Sequence, residues 1–166
     1  MIFFRAAKRE DSRAIAELYS ISSDGVADYI WAKSVKLGED VLDVGERRYE
    51  NEDNVFSYKN CTIVEVGGEI AGMMVAFPMS ASGDVGEDPV LAPYSRLEED
   101  NSYYICGMAL YPEHRGKGVG HQFLALAKQQ AHDEQDYKEV RRQTIVPHPL
   151  IPHTGDVILM VKILDE

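Results

Sequence analysis

Residues 108–120 read MALYPEHRGKGVG: an apolar strand end, a proline turn, then Arg115 followed by Gly116, Gly118 and Gly120 at alternate positions. The chemistry open to such a run is anion binding. Backbone N–H groups converge on a phosphate only where side chains leave the approach clear, and a helix N-terminus adds partial positive charge. The glycines clear that approach. From His121 the run HQFLALAKQQA consists of good helix formers, with Phe123, Leu124, Ala127 and Ala131 spaced to form one apolar face. Residue types and spacing therefore predict a strand, a turn and a helix built to hold a phosphate; the alternative is a glycine-rich turn without a ligand. A magnesium-nucleotide loop does not fit, because Lys117 is followed by Gly118 where a Ser or Thr hydroxyl is needed. A dinucleotide fingerprint does not fit either, since the third glycine comes one position early and the segment sits late in the chain.

Strand, proline, arginine, glycines and amphipathic helix together resemble the acyl-CoA loop of the GNAT family of N-acetyltransferases. Its pattern, Q/R-x-x-G-x-G/A, is matched by Arg115, Gly118 and Gly120, and the preceding Leu110-Tyr111-Pro112 is also typical of that family. The resemblance implies an α/β fold with a mixed, mostly antiparallel sheet flanked by helices, and acetyl-CoA as cosubstrate. The pyrophosphate would lie on Arg115, Gly116, Lys117, Gly118, Val119, Gly120 and His121. The pantetheine arm would lie on the main chain of Met108, Ala109 and Leu110, where the family's strand bulges away from its neighbour. The implied reaction is direct acetyl transfer from the thioester to a primary amine of a small molecule or peptide, without a metal or a nucleophilic triad. Glu99, Asp100, Tyr103 and Tyr104 have side chains suited to proton transfer, but the sequence gives them no orientation, so the catalytic residues stay unassigned.

Composition narrows the partners. A chain of 166 residues is expected to form a single domain over residues 1–166 with its own core. The net charge of −11 disfavours nucleic acid and anionic membranes and suits a cationic amine. Cys61 and Cys106 lie in apolar strand-like runs, which favours buried thiols in a reducing compartment over a disulfide framework. The sequence shows no signal-like N-terminus and no long apolar span, so a cytoplasmic location is expected. His148 and His153 are spaced too far apart, and among too many prolines, to suggest a metal site.

The elements that must position the loop follow from patterning. Ile2–Ala6 reads as a strand, and Asp11 as the cap of a helix burying Ala14, Ile15, Leu18 and Tyr19. Residues 24–52 form a second helical region around Trp31 and Tyr29; in the family such helices wall the acceptor pocket, whereas by its residue type Trp31 also suits an ordinary core position. Strands 58–66 and 69–77 flank the hairpin Gly67-Gly68, with Pro78 ending the second. A surface loop at 80–100 leads to strand 102–110. His114 is expected to be exposed. The loop helix runs to about Gln135, and the tail ends in an apolar strand at 157–164. Against the family, this tail is shortened: a fifth strand and fourth helix are missing, and Tyr137 does not match the tyrosine that meets the leaving thiolate. An uncovered edge beside the cofactor strand predicts a homodimer through the C-terminal strands. Loss of that unit also leaves a second reading, a non-catalytic acyl-CoA-binding protein.

Overall fold

The computed structural model describes residues 1–79, 88–96, 98–100, 102–130, 138–144 and 156–161. β1 (Ile2–Ala6) opens the chain as its apolar residues predict, and a 3-10 turn at Arg9–Asp11 leads into α1 (Ser12–Ser23). Asp11 occupies the N-cap position of α1, but its side chain accepts no capping bond. Its carboxylate instead takes two guanidinium nitrogens of Arg5 at 2.7 and 3.0 Å and the Lys8 amide at 2.7 Å. A bidentate charged partner outcompetes the first-turn amides, which corrects the expected cap.

The helical region expected at 24–52 is two helices, α2 (Val26–Ala32) and α3 (Val41–Glu50). Gly38 interrupts it with φ +87°. Asp40 caps α3 reciprocally: its carboxylate accepts the Asp43 amide at 2.9 Å, and that of Asp43 accepts the Asp40 amide at 2.8 Å. Arg13 of α1 reaches Asp43 at 2.7 Å and ties the two helices together.

β2 (Cys61–Val66) and β3 (Glu69–Met79) form the expected hairpin, with Gly67 and Gly68 both at positive φ. Two boundaries differ from expectation. Residues Tyr58–Asn60 form a 3-10 turn whose first free amide, that of Lys59, is taken by the Ser57 hydroxyl at 3.3 Å, so β2 starts only at Cys61. Pro78 lies inside β3 rather than ending it: its fixed φ suits an extended chain and it forfeits only one donor. The expected loop at 80–100 contains the short helix α4 (Ala92–Ser95), with a proline in its first turn; residues 80–87 lie outside the described ones.

β4 (Ser102–Leu110) completes a four-stranded sheet of order β1-β2-β3-β4, in which β1 pairs antiparallel with β2 and β2 with β3. The β2–β3 register shifts after Val64, which faces Gly72, while Glu65 faces Ile70, so Ala71 is bulged. α5 (Val119–Gln130) begins two residues before the expected His121, because the chain is already helical once past Gly118 at φ +76°. Its expected continuation to Gln135, Tyr137 and the tail residues His148 and His153 lie outside the described residues. β5 (Lys138–Thr144) and β6 (Asp156–Val161) pair antiparallel in a separate two-stranded sheet.

The chain divides into two compact units, Met1–Phe77 with Ile105–Leu124, and Pro78–Tyr104 with Ala125–Glu166. In the first, the consecutive residues Ile63 and Val64, and Met73, Met74 and Val75, are all buried, so both faces of the central strands are covered. Ile15 and Leu18 of α1 and Phe123 of α5 are fully buried, and Phe123 meets Phe4 edge to face at 5.1 Å. In the second, α4 lies against β5, and the Tyr103 hydroxyl donates to Gln130 at 3.1 Å.

Candidate functional site

Local geometry turns residues 110–122 into a cradle of backbone amides. After β4 a 3-10 turn at Pro112–His114 delivers Arg115 in an extended conformation. Gly116 and Gly118 then adopt φ of +74° and +76°, a region that costs L side chains about 1–2 kcal/mol. A Cβ built on Gly116, Gly118 or Gly120 meets nothing within 4 Å, so the approach to the loop is open. Among the described residues the first backbone bond into α5 runs from the Gln122 amide to the Gly118 carbonyl at 3.4 Å. The amides of Val119, Gly120 and His121 are thus the unpaired donors of the first turn. Lys117 Nζ donates to the Glu113 carbonyl at 3.0 Å, and Arg115 Nε to the Leu110 carbonyl at 3.0 Å, which fastens the loop to the strand end.

A cavity of about 340 Å³ joins this loop to β4. It is lined by Met108, Ala109, Leu110, Arg115 and Gly120, five of the residues singled out from the sequence, together with Ile21 and Ser22 of α1. Gly116, Lys117, Gly118, Val119 and His121 belong to the same loop and helix start without lining the cavity. Ile21 and Ser22 carry no chemical signature in sequence; only the packing of α1 against β4 brings them here. Close approaches fit β4 against both β3 and α1. A Cβ at Gly72 would lie 2.4 Å from the Ala109 carbonyl oxygen, and one at Gly107 would lie 2.9 Å from the Tyr19 ring and 3.0 Å from Ser22 Oγ. Cys106 Sγ also lies 3.1 Å from the Tyr19 hydroxyl.

Neither thiol is poised for nucleophilic work. Burial pushes the Cys106 thiol up to about 11, against the opposing Tyr19 hydrogen bond and the field of Arg48, so it stays protonated near neutral pH. Burial raises Cys61 further, and both cysteines are free. Trp31 is 2 % exposed and packs on Gly45, where a Cβ would lie 2.7 Å from its ring, and against Tyr19 at 6.2 Å. It is a core anchor between α1, α2 and α3 and has too little free surface to wall a pocket. Tyr29 lies under Lys33 Nζ at 4.1 Å from the ring centre. His114, expected to be exposed, is half-buried with Nδ1 enclosed and without a hydrogen-bond partner among the described residues. No group of three or more His, Cys, Asp or Glu is placed to hold a metal among the described residues. No helix there is long and apolar enough to cross a membrane.

Residues 27–147 match the acetyltransferase (GNAT) family. Among solved structures the chain is similar to the polyamine N-acetyltransferase of Drosophila melanogaster, which catalyses the formation of N-acetylagmatine. That match has a TM-score of 0.64 and 14 % identity and covers 99 % of this chain and all of that one. An N-acetyltransferase from Staphylococcus aureus Mu50 matches with a TM-score of 0.59 and 16 % identity over 96 % of this chain and 100 % of that one. No curated protein matches the sequence.

Proposed function

Because the chain belongs to the acetyltransferase (GNAT) family, we propose that it is an acetyl-CoA-dependent N-acetyltransferase acting on a primary amine of a small molecule or peptide. The observation that carries this reading is a cavity lined jointly by Met108, Ala109 and Leu110 of β4 and by Arg115 and Gly120 of the loop. A pyrophosphate ester joined to a long amide-bearing arm is the kind of ligand that such a surface suits. Its anionic end would accept from the first-turn amides of Val119, Gly120 and His121, with Arg115 and Lys117 supplying charge. Its arm would run along β4, where main-chain groups serve as a strand partner.

In the reaction the amine nitrogen attacks the acetyl carbonyl, the C–N bond forms, and the C–S bond breaks with its electron pair leaving on sulfur. The proton lost by the amine ends on solvent or on the leaving thiolate. A β4 amide directed at the carbonyl oxygen would stabilise the developing negative charge. Cys106 takes no part, because its raised pKa keeps it a protonated thiol. The acceptor is a basic amine, attracted by a net charge of −11, and the protein acts as one domain over residues 1–166 in the cytoplasm, as a homodimer through its C-terminal strands. The test is turnover with acetyl-CoA against an amine panel that includes agmatine, with free thiol as the readout. Thiol release dependent on a basic amine is expected. Binding of acetyl-CoA with no release against any amine would overturn the enzymatic reading and assign an acyl-CoA-binding role.

A further inference from the structure

Two walls of the cavity come from segments far apart in the chain: β4 with its loop, and the C-terminal turn of α1, which contributes Ile21 and Ser22. Something must fix the register of that helix against the strand end. The side chain in position to do so is Tyr111, the first residue after β4. Its backbone amide donates to the carbonyl of the bulged Ala71 at 2.9 Å, which anchors it to the sheet. Its hydroxyl donates to Glu17 Oε2 at 2.9 Å, across 94 residues of sequence. Glu17 precedes Ile21 by one helical turn, so the two share a face of α1. The contact is charge-assisted and its donor is half-buried, the geometry in which a hydrogen bond resists exchange with water. Burial and the neighbouring Glu17 raise the Tyr111 hydroxyl to about 12, so the donor proton is retained across the working range of pH. Arg13, one turn earlier on α1, lies 3.7 Å from Glu17 and holds the carboxylate from the other side.

We propose that the Tyr111–Glu17 hydrogen bond is a positioning contact for the acetyl-CoA pocket: it locks α1 to the end of β4 so that Ile21 and Ser22 form a wall beside Met108, Ala109 and Leu110. The inference rests on the reading of that cavity as the acetyl-CoA site. Neither Tyr111 nor Glu17 lines the cavity, so neither is required to touch the cosubstrate. Loss of the bond lets the helix end drift and loosens the site without removing any of its walls. Affinity should fall while the chemical step, made by other groups, keeps its rate.

The experiment is titration calorimetry with acetyl-CoA on the full chain, paired with steady-state kinetics on the best amine of the panel. Tyr111→Phe, which keeps the ring and removes only the hydroxyl, is expected to weaken acetyl-CoA binding about tenfold, the effect of one charge-assisted hydrogen bond. KM for acetyl-CoA should rise in step and kcat should stay within about twofold. Glu17→Ala should match that loss, and Glu17→Gln, whose amide oxygen still accepts from the phenol, should recover most of it. The double variant Tyr111→Phe with Glu17→Ala should be no worse than either single change, because both break one bond. Wild-type affinity in Tyr111→Phe, a loss confined to kcat, or multiplying losses in the double variant would each overturn the inference. The Glu17→Ala and Glu17→Gln pair decides the matter by itself if Tyr111→Phe does not fold. Failure of the wild-type chain to bind acetyl-CoA at all would overturn the cavity reading, and the inference with it; the wild-type titration separates that outcome from failure of the positioning contact alone.

Discussion

Gly120 offers the cleanest single-residue test of the cradle, because its backbone φ is not in the left-handed region and a Cβ there meets nothing within 4 Å. Gly120→Leu places a large side chain on the lining of the cavity while improving helix propensity by up to about 1 kcal/mol. The ligand-free melting temperature is therefore expected to hold or rise slightly, and the increase that acetyl-CoA gives the wild type should vanish. A preserved ligand-induced shift in thermal denaturation would place the cosubstrate elsewhere. Gly118→Val tests the same site less cleanly, since its φ of +76° adds strain of about 1–3 kcal/mol for a β-branched residue. A second residue-level prediction concerns Asp11, buried at 5 % exposure between Arg5 and the Lys8 amide. Burial opposes its ionisation, but the Arg5 and Lys8 bonds prevail and hold its pKa below the usual carboxylate range. A depressed folded-state pKa contributes stability that is fully present above the unfolded value of about 3.9 and is lost as pH falls through the folded value. Asp11→Asn should thus cost about 2 kcal/mol in urea unfolding at pH 7 and lose most of that deficit at an acid pH below the folded-state pKa of Asp11. An equal deficit at both pH values would show that the charge does not matter.

At the scale of elements, the fit of β3 to β4 decides whether the strand end is held where the loop needs it. Gly72 makes that fit possible: its Cβ position lies 2.4 Å from both the Ala109 carbonyl oxygen and Leu110 Cδ2. Because backbone oxygen cannot move aside, Gly72→Ala is expected to cost about 1–3 kcal/mol and to weaken acetyl-CoA binding by shifting the strand end. Chemical denaturation and calorimetry check the two effects; an unchanged stability would mean that β4 yields freely. The loop itself was legible in sequence, because Arg115, Gly116, Gly118 and Gly120 are residue types that only a few backbone geometries require. Gly72 was not, since its reason is an oxygen supplied by a strand 37 residues later, as the contact with Ala109 shows. The Tyr111–Glu17 bond and the Ile21 and Ser22 wall were invisible for the same reason: each depends on tertiary packing between residues without a local pattern. Sequence patterning placed β1, the Gly67-Gly68 hairpin and β4 correctly because alternation and paired glycines are local signals. It misplaced the start of β2, where a bond donated by the Lys59 amide to the Ser57 hydroxyl oxygen favours a 3-10 turn over extended chain.

At the scale of the whole molecule, the charge of −11 and the tail strands carry the remaining predictions. An acidic field favours encounter with cations and is screened within about 8 Å at physiological salt, so basic amines should be acetylated faster than neutral or acidic ones, and added salt should narrow the difference. A panel in which acidic amines react fastest would reject a role for that field. β5 and β6 pair with each other in a sheet of their own, and each leaves one edge without a strand partner among the described residues. A two-stranded ribbon is marginal in water unless a further strand or a packed helix supports it, and open strand edges invite pairing with another chain. A second copy of the chain can offer the same edge, and antiparallel pairing of like strands about a two-fold axis is self-complementary and closes without further growth. Light scattering at micromolar concentration is therefore expected to give twice the monomer mass. A proline placed in the middle of β5, as in Arg142→Pro, removes a strand donor and should shift that mass toward the monomer, while acetyl-CoA still raises the melting temperature through the cavity of the first unit. A monomer in the wild type would reject the dimer and leave support of the β5–β6 ribbon to the chain's own elements, such as α4, which lies against β5.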